Sequence, residues 1–402
     1  MDFNLTPEDE NFRQEVRSFI AETLPKDVAR RKGQGFHDTR ADQTIWQRLT
    51  SARGWGAPRW PVEHGGCDWT PIQHHIWELE CGLADAPEIG ASQIMVGPVI
   101  AKFGDVDIKA RYLPGLLNGD IYSAQGFSEP QAGSDLASVR TRAERKGDEW
   151  VINGQKIWTT GAHEADVLIC LCRTDPTAKP QAGLSMIMVD MRRPGVTVRP
   201  IRTIDGQHTV NEIYLDDVRV PANELIGDAN LGWTYAKFLL SNERTYNAHL
   251  PELVRYCRRI LTIAAEEERR TGQRIVTEEF RVRYARLWLE VEALRWSVLR
   301  VLSDRSGKPG GIQMAAASSL KIVGSELLLQ ASQILMEVVG QDSMPLYPPV
   351  WDAEYDSKTR GALPAAPGLT AQYLYWRAST IFGGSNDIQR QIIWNSIVGG
   401  LD

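Results

Sequence analysis

The feature that most constrains the fold is a hydrophobic period that changes twice along the 402 residues. Thr6-Pro7-Glu8-Asp9 reads as the opening of a helix, with a capping hydroxyl, a proline at the first helical position and acidic side chains facing the positive end of the dipole. Phe12, Val16, Phe19 and Ile20 then recur at helical spacing. A Pro/Gly-rich passage from Gly54 to Gly66 predicts loop, and helical spacing resumes over 72–82 and 95–103. From about residue 121 the period becomes that of strands. Trp150-Val151-Ile152-Asn153-Gly154 reads as a strand entering a tight turn, because Asn-Gly accommodates positive φ. Residues 167–172, 184–189, 196–201 and 212–220 are further β-rich runs bounded by turn residues. After Gly227 the helical period returns and lasts almost to the end. It breaks once, from Asp342 to Gly368, where Pro345, Pro348, Pro349, Pro364 and Pro367 forbid a helix. No repeat at solenoid spacing is visible.

This order predicts three packed regions in a chain too long for one simple core: a helical region over 1–120, a β region over 121–228 and a helical bundle over 229–402. Charge excludes some partners. Lys+Arg of 45 against Asp+Glu of 51 leaves a net charge of -6, evenly spread, with no basic face for nucleic acid. The 5 cysteines are odd in number and lack zinc spacing, and Cys170 and Cys172 read as buried small hydrophobes on one strand face. The 7 histidines show no metal spacing, with His74 and His75 pointing different ways from a helix, so no metal is expected. The chain opens without a charged-then-apolar leader, and its apolar runs are too short to cross a bilayer. A cytoplasmic protein of a reducing compartment, with no membrane span, is the expectation. The 13 tryptophans read mostly as packing.

Three motifs carry chemistry. The first is Gln125-Gly126-Phe127-Ser128-Glu129-Pro130-Gln131-Ala132-Gly133-Ser134-Asp135, closing with Trp158-Thr159-Thr160-Gly161 after a hairpin. Glycines and small hydroxyls at strand ends let backbone N–H groups approach a planar or phosphorylated ligand, although two polar turns would look the same by composition. The second is Phe238-Leu239-Leu240-Ser241-Asn242-Glu243-Arg244. Glu243 follows Leu239 by four residues and Leu240 by three, which puts its carboxylate on their apolar face, where desolvation raises a pKa towards that of a general base. An exposed Glu-Arg pair at a helix end fits the same residues. The third is Phe382-Gly383-Gly384-Ser385-Asn386-Asp387-Ile388-Gln389-Arg390. Ser385 or Asn386 caps a helix there, and Ile388, Ile392, Ile393 and Ile397 mark its buried face.

Gly126 through Asp166, including Asn153-Gly154-Gln155-Lys156-Ile157-Trp158-Thr159-Thr160, resembles the signature of the FAD-dependent acyl-CoA dehydrogenases, and the third motif resembles that family's C-terminal signature. The likeness covers nearly the whole chain. It implies a mainly α fold with a central β domain: N-terminal helices, a barrel-like middle sheet and a C-terminal four-helix bundle. It also implies α,β-dehydrogenation of an acyl-CoA thioester to the trans-2-enoyl-CoA. By position, Gln125, Phe127, Ser128, Trp158, Thr159, Thr160, Arg269, Ser385 and Asp387 would contact FAD. Ser134 would touch both FAD and the acyl-CoA, and Ser241, Arg244 and Gly384 the substrate. Many members carry the catalytic Glu where this chain has Gly383, whereas a subset places it immediately before an Arg in the earlier helix, matching Glu243-Arg244. The resemblance therefore implies Glu243 as the base, Gly383 N–H as a donor to the thioester oxygen, and residues near 91–97 lining a large acyl pocket.

The adenine-binding motifs of homotetrameric members are altered here. Glu268-Arg269-Arg270-Thr271-Gly272 lacks the following Phe-Gly, and Gln333 to Gly340 keeps one glycine of the usual turn. That resembles the large subunit of an unequal pair, in the branch of pimeloyl-CoA and steroid side-chain dehydrogenases. A heterotetramer with a second acyl-CoA dehydrogenase-like subunit, or a homo-oligomer, is implied, with an electron-transfer flavoprotein as acceptor. The alternatives are an oxygen-reactive oxidase or monooxygenase on this fold, and a non-catalytic FAD- or acyl-CoA-binding subunit.

Overall fold

A computed structural model of the chain describes residues 5–35, 37–88, 90–242, 248–303, 311–343 and 368–397. Six helices come first: α1 Pro7–Thr23, α2 Lys26–Gly33, α3 Arg40–Arg53, α4 Pro71–Leu83, α5 Gly97–Phe103 and α6 Val106–Asn118. Thr6 caps α1 by accepting from Asp9 N at 3.1 Å, as the sequence requires. Capping boxes open α3 (Thr39, Asp42) and α4 (Thr70, Gln73). Phe12, Phe19, Trp46, Trp55, Trp69 and Trp77 pack on one another between α1, α3 and α4, so these aromatics are core. The predicted segment 95–103 is a short π-helical stretch, Ser92–Val96, continuing into α5.

Seven strands follow: β1 Ser123–Gly126, β2 Arg142–Lys146, β3 Glu149–Thr160, β4 Val167–Arg173, β5 Leu184–Asp190, β6 Val196–Ile201 and β7 Val210–Pro221. They form one sheet in the order β1-β4-β2-β3-β7-β6, with β5 added beside β4. The side-chain alternation of β4 separates two cores. Val167, Ile169 and Leu171 join α5, α6 and Phe127, while Leu168, Cys170 and Cys172 join Ile152, Ile213 and Val218 inside the curled sheet. A strand covered on both faces reads as an unbroken apolar run, which is how 167–172 reads. Cys170 and Cys172 are fully buried, as expected.

One expectation fails here. Asn153-Gly154 is no turn: β3 continues through it to Thr160, with a register shift between Ile152 and Gly154 against β7. The hairpin turn is at Gly147-Asp148, between β2 and β3. A bulge uses the freedom of glycine as a turn does, so the dipeptide alone does not separate them.

Helices α7 Gly232–Asn242, α8 Leu250–Thr271, α9 Glu278–Ser303, α10 Gly311–Val339, α11 Leu369–Trp376 and α12 Asn386–Ile397 follow among the described residues. Leu253, Tyr256 and Ile260 of α8 meet Leu287, Val291 and Leu294 of α9 and Leu327, Ala331 and Leu335 of α10 in one core. The stretch Ala315–Ser343 is long and apolar enough to cross a membrane, yet 56% of its most apolar window is buried in the bundle. The Pro-rich segment 344–367 lies outside the described residues. On α12 the expected buried face is corrected. Only Asn386 is buried, Ile388, Ile392 and Ile393 are half-buried, and Ile397 is 55% exposed. This helix packs chiefly on α10, and periodicity marks an apolar face without supplying a second surface to cover it.

Candidate functional site

The sheet half of the site begins where β1 leaves the sheet. Phe127 turns into the core against α5 and α6, and Ser128 is half-buried. Ser128 O accepts from Ile157 N at 2.9 Å, which fastens this turn to β3 one residue before Trp158. Gln125, Phe127 and Ser128 are thereby brought to Trp158, Thr159 and Thr160. Trp158 lies in a second β3 bulge in left-handed backbone, φ 60, and its indole is 58% exposed. Thr159 is buried, and its Oγ1 has no hydrogen-bond partner among the described residues. Thr160 and Ser134 are exposed, the latter on the turn after Phe127-Ser128.

Beneath these residues lies a clamp to which the sequence reading gave no role. Lys156 is fully buried, and its ammonium donates to Phe127 O at 3.0 Å, Leu171 O at 2.7 Å and Glu129 Oε1 at 2.8 Å. Glu129 also accepts from Thr141 N at 2.8 Å, Arg140 N at 2.6 Å and Gln131 Nε2 at 2.7 Å. Burial pushes the Glu129 carboxyl up, but Lys156 and these donors outweigh it and hold it below its ordinary value. A buried charge is tolerated only when paired and hydrogen-bonded, and this pair is saturated. Glu129 stands inside the first motif and Lys156 two residues before its closing Trp158, and that placement was the available signal.

A second support stands behind Thr159. Asn211 is fully buried, donates to Thr159 O at 3.1 Å, and lies 3.1 Å from His163 Nδ1 and 2.7 Å from His208 Nε2. The two imidazoles are 4.1 Å apart, and burial followed by His208 lowers the pKa of His163.

The helical half is built around the start of α12. Gly383 and Gly384 are both left-handed, φ 65 and φ 82, and make a turn with no side chain. Ser385 caps the helix by accepting from Ile388 N at 3.3 Å, leaving first-turn N–H groups for an oxygen ligand. Asn386 is not the cap; its Oδ1 accepts from Lys321 Nζ at 2.9 Å and Ser325 Oγ at 3.2 Å. Asp387 is exposed and pairs with Arg390 at 3.2 Å. His249, at the start of α8, sets its ring 6.3 Å from Phe382 and 5.2 Å from Trp376. Arg269 is exposed near the far end of α8, roughly 30 Å along the helix from His249. It does not join the Phe382–Gly384 turn of its own chain.

Leu239 of α7 is buried but Leu240 is 38% exposed, so the face leading to residue 243 is only partly covered. Glu243 and Arg244 lie outside the described residues, as does the side chain of Ser241. Near this half, Glu88 is held at about 2 chiefly by Lys32, whose ammonium is 3.4 Å away and also binds Asp38 at 2.9 Å. The 92–96 stretch places Ser92 and Gln93 along a cavity shared with Gln47, Trp55, Glu88 and Tyr122.

Residues 6–120, 124–218 and 230–398 match, in order, the N-terminal, middle and C-terminal domains of acyl-CoA dehydrogenases. The chain is 33% identical over 396 residues to acyl-CoA dehydrogenase IpdE1 of Mycobacterium tuberculosis, covering 97% of each chain. Its fold superposes on the Tcur3481-Tcur3483 steroid ACAD with a TM-score of 0.84, at 29% identity and 99% coverage of each chain. It also superposes on the ChsE4-ChsE5 complex from Mycobacterium tuberculosis, with a TM-score of 0.81, 30% identity and 99% coverage of each chain.

Proposed function

Because the chain belongs to the acyl-CoA dehydrogenase family, and so is an FAD-using oxidoreductase, we propose that it oxidises an acyl-CoA thioester to the trans-2-enoyl-CoA with Glu243 as base. The observation that carries this reading is the bare left-handed Gly383-Gly384 turn at the start of α12, where a side-chain carboxylate is missing. Helix α7 is described as far as Asn242, one residue before Glu243, and the next described residues are Ala248 and His249, whose ring meets Phe382.

The residues present fit the cofactor. Thr159 Oγ1 is a buried hydroxyl without a partner among the described residues, beside an exposed indole and the Ser128 turn, which suits a planar ring with polar edges. Gln125, Phe127, Ser128, Ser134, Trp158, Thr159 and Thr160 would hold its flavin end. Ser385 and Asp387 would lie near its phosphates, and Arg269 would serve a cofactor in a neighbouring subunit. FAD, when bound, supplies the acceptor for the β-hydride.

The chain's own part is acid–base and electrostatic. Glu243 takes the α-proton, which a carboxylate can do only if the thioester oxygen is stabilised as charge develops. Gly383 N–H is the preorganised donor to that oxygen, and Gly384 leaves room for the thioester. Ser134, Ser241 and Arg244 bind the substrate beyond it. The Lys156–Glu129 clamp fixes the strand ends so that these contacts do not reorganise.

Ile381, Trp394 and Ile397 are 69%, 62% and 55% exposed around α12, which favours association through this face with a second acyl-CoA dehydrogenase-like subunit or another copy. An electron-transfer flavoprotein is the proposed acceptor. The decisive test is anaerobic flavin bleaching by a panel of acyl-CoAs, on wild type and Glu243→Gln. The variant should lose on the order of 10²–10⁴-fold in reduction rate while still binding substrate. Equal bleaching would remove Glu243 from the mechanism.

A further inference from the structure

His249 differs from the other polar groups around the Phe382–Gly384 turn. It is only 7% exposed, and it opens the long helix α8 in left-handed backbone, φ 50, a conformation uncommon for a residue with a side chain. Its backbone is fixed from behind. Gly324 of α10 sits so close that a Cβ there would fall 2.2 Å from Ala248 O. Trp376 and Phe382 hold the ring on two sides. Burial holds the imidazole at about 4, so at neutral pH it is uncharged, with one nitrogen a donor and the other an acceptor.

Its neighbours are already committed. Trp376 Nε1 donates to Tyr256 OH at 2.8 Å, and the Lys321 ammonium donates to Asn386. His249 Nε2 alone among these is buried with no hydrogen-bond partner among the described residues. Ser379 Oγ, fully buried between Trp376 and Phe382 in sequence, is in the same state. Two buried polar atoms with no partner among the described residues, one on a ring against Phe382 and one three residues before it in sequence, point to a ligand that brings oxygen to them.

We propose that His249 is a specificity-determining residue of this site, selecting CoA thioesters whose acyl group carries a hydroxyl or keto oxygen over the matching plain hydrocarbon. This rests on the dehydrogenase reading above and goes beyond it. A hydrocarbon acyl group seals Nε2 away unpaired, whereas one with an oxygen at the right carbon satisfies it. Sites that bury a polar group discriminate against ligands that leave it unpaired.

The test uses the FAD-loaded protein and pairs of CoA thioesters differing only in one hydroxyl or keto group. The oxygen is stepped from the fourth carbon to the end of an eight-carbon chain and of a cyclohexyl-bearing chain. Anaerobic flavin reduction gives kcat/KM for each member. Wild type should favour an oxygenated member by about 10- to 100-fold at one position. His249→Leu should abolish that ratio, and His249→Gln should restore part of it. Because leucine is strained at this backbone angle, His249→Asn, which tolerates it, serves as the second variant and should also lower the ratio. Reduction by both members of every pair at equal kcat/KM would overturn the role of His249 alone. So would a preference that survives in His249→Leu and His249→Asn. If no thioester of either kind reduces the flavin, the dehydrogenase reading falls and this inference falls with it.

Discussion

Lys156 and His249 are both buried, both polar and both next to a segment of the proposed site, yet their surroundings are opposite. Lys156 commits all three of its N–H groups, two to backbone carbonyls and one to Glu129, whose carboxylate is itself saturated. His249 leaves a ring nitrogen with no partner among the described residues. Among the described residues the Lys156–Glu129 clamp is thus complete without a ligand, whereas Thr159 Oγ1 in the sheet half and His249 Nε2 and Ser379 Oγ in the helical half are buried with no partner. Saturated networks make scaffolds, and orphaned groups face ligands; the contrast separates what positions chemistry from what meets it.

The largest effect that would break this comparison is at Lys156. Lys156→Met strands the Glu129 carboxylate and two carbonyls in the core, and should cost about 3–5 kcal/mol in denaturant unfolding, with loss of flavin. Adding Glu129→Gln should recover part of that, because the uncompensated charge goes. A single variant within about 1 kcal/mol of wild type would show that the clamp is no scaffold.

The next effect separates the halves by pH. For Glu129 the folded pKa lies below the ordinary 4.5, so its contribution is present above that value and is lost as the pH falls through the depressed folded value. For His249 the folded value, about 4, lies below the ordinary 6.5. Above 6.5 both states are neutral and the group contributes nothing. Below it the unfolded chain gains a proton that the native state refuses, so stability declines until about pH 4, by up to about 3 kcal/mol. His74 and His75 are also held at about 4, so the useful measure is the difference between wild type and His249→Gln across pH 7 to 4. A constant difference would mean that His249 takes up its proton in the native protein at the same pH as in the unfolded chain.

The helix–strand–helix order, the caps of α1 and α12 and the strands at 167–172, 184–189 and 196–201 were legible because period and capping are local. Asn153-Gly154 was misread because a bulge and a turn make the same demand on backbone angles. Ile397 was misread because a stripe tells which face is apolar and not what lies against it. Within the proposed site, Phe127, Ser128 and Trp158 are read from a two-part motif, whose parts the Ile157 N–Ser128 O bond brings together. His249 is not: a lone histidine at a helix start carries no spacing signal, and its isolation comes from α10, Trp376 and Phe382, far away in sequence. Asn211 and Glu129 gain their roles only when β7 and β3 are laid side by side and the turn after β1 folds beneath them.

The smallest effect sharpens the comparison at Gly384. An alanine there places its Cβ 2.6 Å from Gln389 Nε2, the far end of a flexible side chain that can swing aside. What remains is the left-handed backbone, φ 82, which disfavours a side chain by about 1–2 kcal/mol. Gly384→Ala should therefore lower stability by that amount, without the pH slope of His249 and well short of the loss at Lys156. Gly384→Asn should fall between alanine and wild type, because asparagine adopts left-handed backbone more readily. Thermal unfolding of the two variants decides it. If alanine costs as much as breaking the Lys156–Glu129 pair, the turn is packed as tightly as the sheet. The helical half would then be as rigid as the sheet half, and its orphaned atoms would reflect strain in a finished core instead of places kept for a ligand.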